Sequence, residues 1–109
     1  MSFRYTVKAT FRDQDLVDEW LLWLVDGHCQ EVCEGGAEGA EIVAMEGEAL
    51  SFEVRYDFPD RATFERYEAE HAPRLRAEGL ERFPTSRGIS YARTSGEVLA
   101  QGGGGGERP

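Results

Sequence analysis

Asp18-Glu19-Trp20-Leu21-Leu22-Trp23-Leu24-Val25-Asp26-Gly27-His28 is the centre of the longest apolar run in the chain, which reaches from Asp15 to Gly36. Wound as a helix at about 100° per residue, the run sets Val17, Leu21, Leu24 and His28 on one line. Trp20 flanks that line on one side, and Val25 and Val32 flank it on the other. Asp15, Glu19, Asp26 and Gln30 are confined to a narrow opposite strip, while Leu16, Trp23 and Gly27 widen the apolar side beyond what one sheet covers. A histidine thus sits inside the apolar stripe of a long helix.

Outward from this helix the pattern changes period. Upstream, the odd positions from Phe3 to Phe11 read Phe, Tyr, Val, Ala, Phe and the even positions from Arg4 to Arg12 are polar, which predicts a half-buried strand. Asp13 or Asp15 supplies an N-cap carboxylate, and Gly35-Gly36 a stop. Downstream, a short strand is expected over Ala40–Met45, a turn at Glu46-Gly47-Glu48, and a third strand in which Leu50, Phe52, Val54, Tyr56 and Phe58 face one way. Asp60 then caps a second helix bearing Phe64, Tyr67, His71 and Leu75. Pro73 disfavours helix at Ala72 and suits the start of a new turn running to Gly79, so a break is expected near His71. A last strand of about six residues begins at Ile89. Residues 1–95 are read as one α+β domain and 96–109, with its Gly102–Gly106 run, as a flexible tail.

The order β-α-β-β-α-β is that of a ferredoxin-like split βαβ: a four-stranded antiparallel sheet with both helices on one face. The other face then presents Arg4, Thr6, Lys8, Thr10, Arg12, Ser51, Glu53, Arg55, Asp57, Ser90, Ala92 and Thr94. Cross-strand ion pairs are expected to absorb most of its charge.

The chain has 109 residues, 40% hydrophobic and 30% charged, which suits one folded domain rather than a disordered segment. Its net charge of −9 repels phosphate backbones and anionic lipid, so neither nucleic acid nor membrane is an expected partner. No export signal is read at the start, and Asp18, Glu19 and Asp26 interrupt the apolar run before the ~20 residues that a membrane span needs. Cys29 and Cys33 are expected as free thiols, which fits a cytoplasmic location.

Two motifs, Glu19-Trp20-Leu21-x-Trp23-Leu24-x3-His28 and Tyr67-x3-His71-Ala72-Pro73-x-Leu75-Arg76-x-Glu78-Gly79-x2-Arg82-Phe83-Pro84, resemble the uncharacterised bacterial family called domain of unknown function 4286. The resemblance spans residues 3–94. It implies the dimeric α+β barrel superfamily, in which two ferredoxin-like sheets pack face to face across a homodimer, and it brings no established activity. The family pattern has His-x-Pro-Glu-Val after the tryptophans, whereas Gln30 replaces the proline here, so the helix is expected to run on past His28.

No residue pattern identifies a substrate or reaction. His28 is the candidate acid, base or ligand, with Glu31 as a possible orienting group; its plainer role is a packed imidazole bonded to a backbone carbonyl. Trp20, Trp23, Tyr67 and His71 are the candidate ligand-binding residues, against ordinary core or interface packing. His71 is expected at the far end of the sheet from His28, about 18 Å away, the length of a twelve-residue helix. Cys29 and Cys33 point away from His28 around the helix and no fourth ligand lies nearby, so neither a metal nor a cofactor is assigned. Arg74, Arg76, Arg82 and Arg87 lie among Glu70, Glu78 and Glu81 and are read as a self-paired helix surface. The resulting expectation is a homodimeric binding or interaction module paired through its polar sheet face, with a small molecule as a possible ligand. The alternative is a cofactor-free enzyme, monooxygenase- or isomerase-like by fold analogy alone, using His28 in a cleft lined by Trp20 and Trp23.

Overall fold

The computed structural model describes residues 2–47 and 49–101. In chain order the elements are β1 (Phe3–Phe11), α1 (Gln14–Trp23), a π-helical turn (Leu24–His28), α2 (Cys29–Glu34), β2 (Gly39–Ala44), β3 (Leu50–Phe58), α3 (Arg61–Glu70), α4 (Ala72–Arg82) and β4 (Ile89–Glu97). The four strands form one antiparallel sheet in the order β2-β3-β1-β4. This is the ferredoxin-like α+β fold, each crossover being a helix in two segments.

Alternation places the core. Phe3, Tyr5, Ala9 and Phe11 of β1 and Val54, Tyr56 and Phe58 of β3 are buried together with Val17, Trp20 and Leu24 from the first crossover and Phe64, Tyr67 and Leu75 from the second. One sheet face is therefore the core and the other is polar. On the polar face Arg4 pairs with Asp57 at 3.0 Å across strands. Arg55 likewise reaches Glu41 across strands at 4.0 Å, whereas Glu53 turns to Arg55 on its own strand at 2.9 Å and not to Lys8 opposite. Among the described residues neither Lys8 nor Arg12 makes an ion pair.

The central helix corrects the simple 3.6-residue reading. The Cys29 N–H donates to the Leu24 carbonyl five residues back, so the turn from Leu24 to His28 holds more than a regular α-turn. The rotation leaves Val25 69% exposed instead of flanking the buried line, while Val32 remains buried. The helix continues through Gln30 to Glu34, and Gly36, at φ +135°, ends it. A Cβ at Gly36 would lie 2.8 Å from the Thr63 methyl, so glycine answers both a backbone and a packing demand.

The second crossover follows its sequence signals. Asp60 accepts from the Thr63 N–H at 2.8 Å, capping α3. His71 leaves helical geometry at φ −121°, and Pro73 sits in the first turn of α4. That helix runs through Gly79 to Arg82, past the expected end. β2 starts one residue earlier than expected. β4 runs through Gly96 and Glu97, opposite Arg4 and Phe3, into the stretch read as tail. Glu48 of the predicted turn and the Gly102–Gly106 run lie outside the described residues. No described helix is long and apolar enough to cross a membrane.

Candidate functional site

Between the core face of the sheet and the helices lies a cleft of about 50 Å³. Trp20, Trp23, Leu24 and His28 form one wall, Tyr67, Leu75, Arg76 and Gly79 another, and Tyr5, Tyr56 and Tyr91 belong to its floor. The volume holds a few waters and is below the roughly 150 Å³ of a cavity that takes up benzene, so a ring enters only with movement at the mouth. Leu80, 46% exposed, stands among the lining residues and is the apolar group freest to move.

The π-turn delivers His28 to this cleft. Its ring stacks on Trp23 with centroids 4.1 Å apart and planes 21° apart. Trp23 also packs on Phe83 at 5.3 Å and against Gly79, where an added Cβ would meet the indole at 3.3 Å. His28 Nδ1 is buried with no hydrogen-bond partner among the described residues. Burial pushes its pKa down to about 4, with the Glu78 carboxylate opposing, so the imidazole is neutral at pH 7. Glu31, the expected orienting group, instead meets Arg74 at 3.4 Å.

The opposite wall holds the second unmatched group. Arg76 donates to Tyr5 Oη at 3.2 Å and pairs with Glu68, yet its Nε is buried and unpartnered among the described residues. Burial works against this cation, and the bonds to Tyr5 and Glu68 outweigh it, leaving its pKa above the usual value. Burial likewise pushes the Tyr67 hydroxyl up, keeping it protonated and able to donate. Buried polar atoms are rarely left unmatched. Two of them belong to residues lining one cleft.

Four of the five expected site residues line this cleft, and the fifth does not. Trp20, 2% exposed, is a wall anchored in the core by Phe11 at 5.0 Å. His71 lies at the α3–α4 junction, stacked on Tyr67 and beside Gly35, where an added Cβ would meet its Cγ at 3.1 Å. The break at His71 places it midway along the second crossover, next to the end of α2, and it does not share the cleft with His28. Cys29 and Cys33 line a separate open groove with Val25 and Ile42, and Cys29 Sγ contacts Tyr56 Oη at 3.7 Å. Among the described residues no three His, Cys, Asp or Glu side chains are grouped to hold a metal.

The family model described as Domain of unknown function (DUF4286) matches residues 4–93. The chain belongs to this family. No curated protein matches this DUF4286 member. Among solved structures, one dimeric ferredoxin-like protein from an uncultured marine organism is similar at TM-score 0.66 and 16% identity, over 92% of this chain and 97% of its own. A second from an uncultured marine organism gives TM-score 0.72 and 9% identity, over 93% and 97%. SnoaB, a cofactor-independent oxygenase from Streptomyces nogalater, gives TM-score 0.66 and 10% identity, over 92% and 95%. At these identities the likeness is one of fold.

The DUF4286 sequence also held a signal for Arg76. Ala72, Leu75, Arg76, Gly79, Leu80 and Phe83 follow the spacing of a buried helix stripe, and Arg76 is the one charge on it. Arg74 and Arg87 lie off that stripe and are matched on the surface, by Glu31 and Glu78 and by Glu19, while Arg82 lies over the Phe83 ring at 6.0 Å.

Proposed function

We propose that this DUF4286 protein is a homodimeric module that binds a small molecule in the cleft between its sheet and helices. The observation that carries the reading is the pair of unmatched buried polar atoms, His28 Nδ1 and Arg76 Nε, on opposite walls of an aromatic-lined cleft. Aromatic walls suit a flat ligand, and a neutral imidazole, a tyrosine hydroxyl and an arginine N–H suit its oxygens or N–H groups. The dimer would pair the polar sheet faces. Thr6, Ala92 and Thr94 keep that face low enough for two sheets to approach, and two proteins of similar fold are described as dimeric. The free thiols Cys29 and Cys33 fit a cytoplasmic setting.

The enzymatic alternative draws on SnoaB, the oxygenase of similar fold, and on the buried imidazole. Its weakness is basicity. With a pKa of about 4, His28 is roughly six pK units too weak a base to deprotonate a free phenol of pKa ~10. Binding is the role that a neutral, buried imidazole fills without further tuning.

Native mass spectrometry of the purified, untagged protein tests this reading. The expected species has twice the 12.2 kDa chain mass and carries a reproducible small-molecule adduct that Trp23→Ala diminishes. A bare monomer at micromolar concentration would contradict both the dimer and the occupied cleft.

A further inference from the structure

We propose that the cleft selects small aromatic anions, the ionised oxygen being held by Arg76 and Arg93 and the ring lying against Trp23 and the tyrosines. The inference rests on the binding reading above and adds the charge of the ligand. Ile89, Tyr91 and Arg93 alternate on the core face of β4, so the guanidinium of Arg93 stands on the same side of the sheet as Arg76. Arg93 lies over the Tyr91 ring at 5.6 Å and lines the cleft in an exposed position.

The charge count favours an anion. Arg76 is matched by Glu68, but no carboxylate lies within ion-pair distance of Arg93 among the described residues. Two guanidiniums and one ion-paired carboxylate leave a local excess of one positive charge. Lys8 and Arg12 are likewise without an ion pair among the described residues, but of these cations Arg93 alone lines the cleft. Glu78, the carboxylate nearest in influence to His28, is itself engaged by Arg74 at 3.2 Å.

Arg76 adds direction to the charge. Its Nε–H is a fixed donor in a half-buried guanidinium, braced by Tyr5 Oη and stacked beside the Tyr5 ring at 5.9 Å. A carboxylate oxygen that reaches that N–H, which is covered until the side chains at the mouth shift, gains a charge-assisted hydrogen bond in surroundings poor in water. A neutral carbonyl gains only the weaker bond. The ring of such a ligand is accommodated by Trp23, already stacked on His28, and by displacement of Leu80.

Benzoate and its neutral near-isostere acetophenone, titrated at pH 7 into the intact protein and followed by NMR chemical shifts, test the selection. Benzoate is expected to bind at least ~10-fold more tightly than acetophenone. Arg76→Lys, which keeps the charge and lacks the Nε donor, and Arg93→Gln, at an exposed position, are each expected to cut that preference severalfold. Acetophenone binding should weaken less than benzoate binding in both. Equal affinity of the two ligands for the wild type, or equal weakening of both by Arg93→Gln, would overturn the selection and leave the cleft as a binding site. Failure of both ligands to shift resonances of the cleft would overturn the binding reading together with the inference.

Discussion

Trp20→Ala is expected to lower the unfolding free energy by about 3–5 kcal/mol, the range for removing a buried indole. Trp20 is only 2% exposed and packs on Phe11 at 5.0 Å and Phe52 at 6.1 Å, between α1 and the two central strands. Its loss opens a cavity that the strand-anchored rings cannot collapse to fill. Against a total stability of roughly 5–15 kcal/mol for a small domain, that loss is a large fraction. Trp23→Ala provides the contrast. Its indole is half-buried, so truncation costs about 1–2 kcal/mol by area removed, while the cleft loses the surface against which His28 stacks. Urea unfolding of the two variants checks the ranking. A loss below ~1 kcal/mol for Trp20→Ala would show that Trp20 is no core anchor.

The second expected result is a pH-dependent stability that His28 controls. Burial lowers its folded-state pKa from 6.5 to about 4, so between those values the unfolded chain binds the proton more tightly. The contribution is therefore fully present above pH 6.5 and is lost as pH falls toward 4. At 1.36 kcal/mol per pK unit it amounts to about 2 kcal/mol between pH 7 and pH 5. His28→Gln removes the titration. Glu19 and Asp60, with carboxyl pKa values lowered by their bonds to Arg87 and Thr63, are common to both proteins and cancel in the comparison. Urea unfolding at both pH values should show the wild type losing ~2 kcal/mol more than the variant. Parallel losses would place His28 in contact with water, not in a closed wall.

Much of this was legible in the sequence. The two-residue alternation of β1 and β3, the Asp60 cap and Pro73 after His71 are local signals, and each has a local outcome in the structure. The π-turn had none. It depends on one backbone bond reaching five residues back, from Cys29 to Leu24, and apolar spacing is indifferent to that bond. Its consequences, an exposed Val25 and a Cys29 turned toward Tyr56, were hidden with it. Arg76 was visible by spacing but masked by composition, since Arg74, Arg82 and Glu78 around it make an ordinary charged surface. His71 was hard to place for a different reason. Its position depends on how α3 and α4 join, which is a question of tertiary packing and not of helix length.

The fold also explains why the residues bearing the two unmatched atoms line one cleft. A ferredoxin-like crossover lays both helical connections over the same sheet face, so an inward-facing residue from each is brought above the same strands. His28 comes from the first crossover and Arg76 from the second, with Tyr5 of the central β1 beneath, bonded to Arg76. The cleft is thus a product of the fold's layering.

A crystallographic screen of small aromatic fragments against the wild-type protein tests this most directly. The bound fragments are expected in the cleft, with polar atoms within hydrogen-bond distance of His28 Nδ1 or Arg76 Nε. Fragments bound only elsewhere, as in the open groove beside Cys29 and Cys33, with the cleft closed by its own side chains, would contradict it.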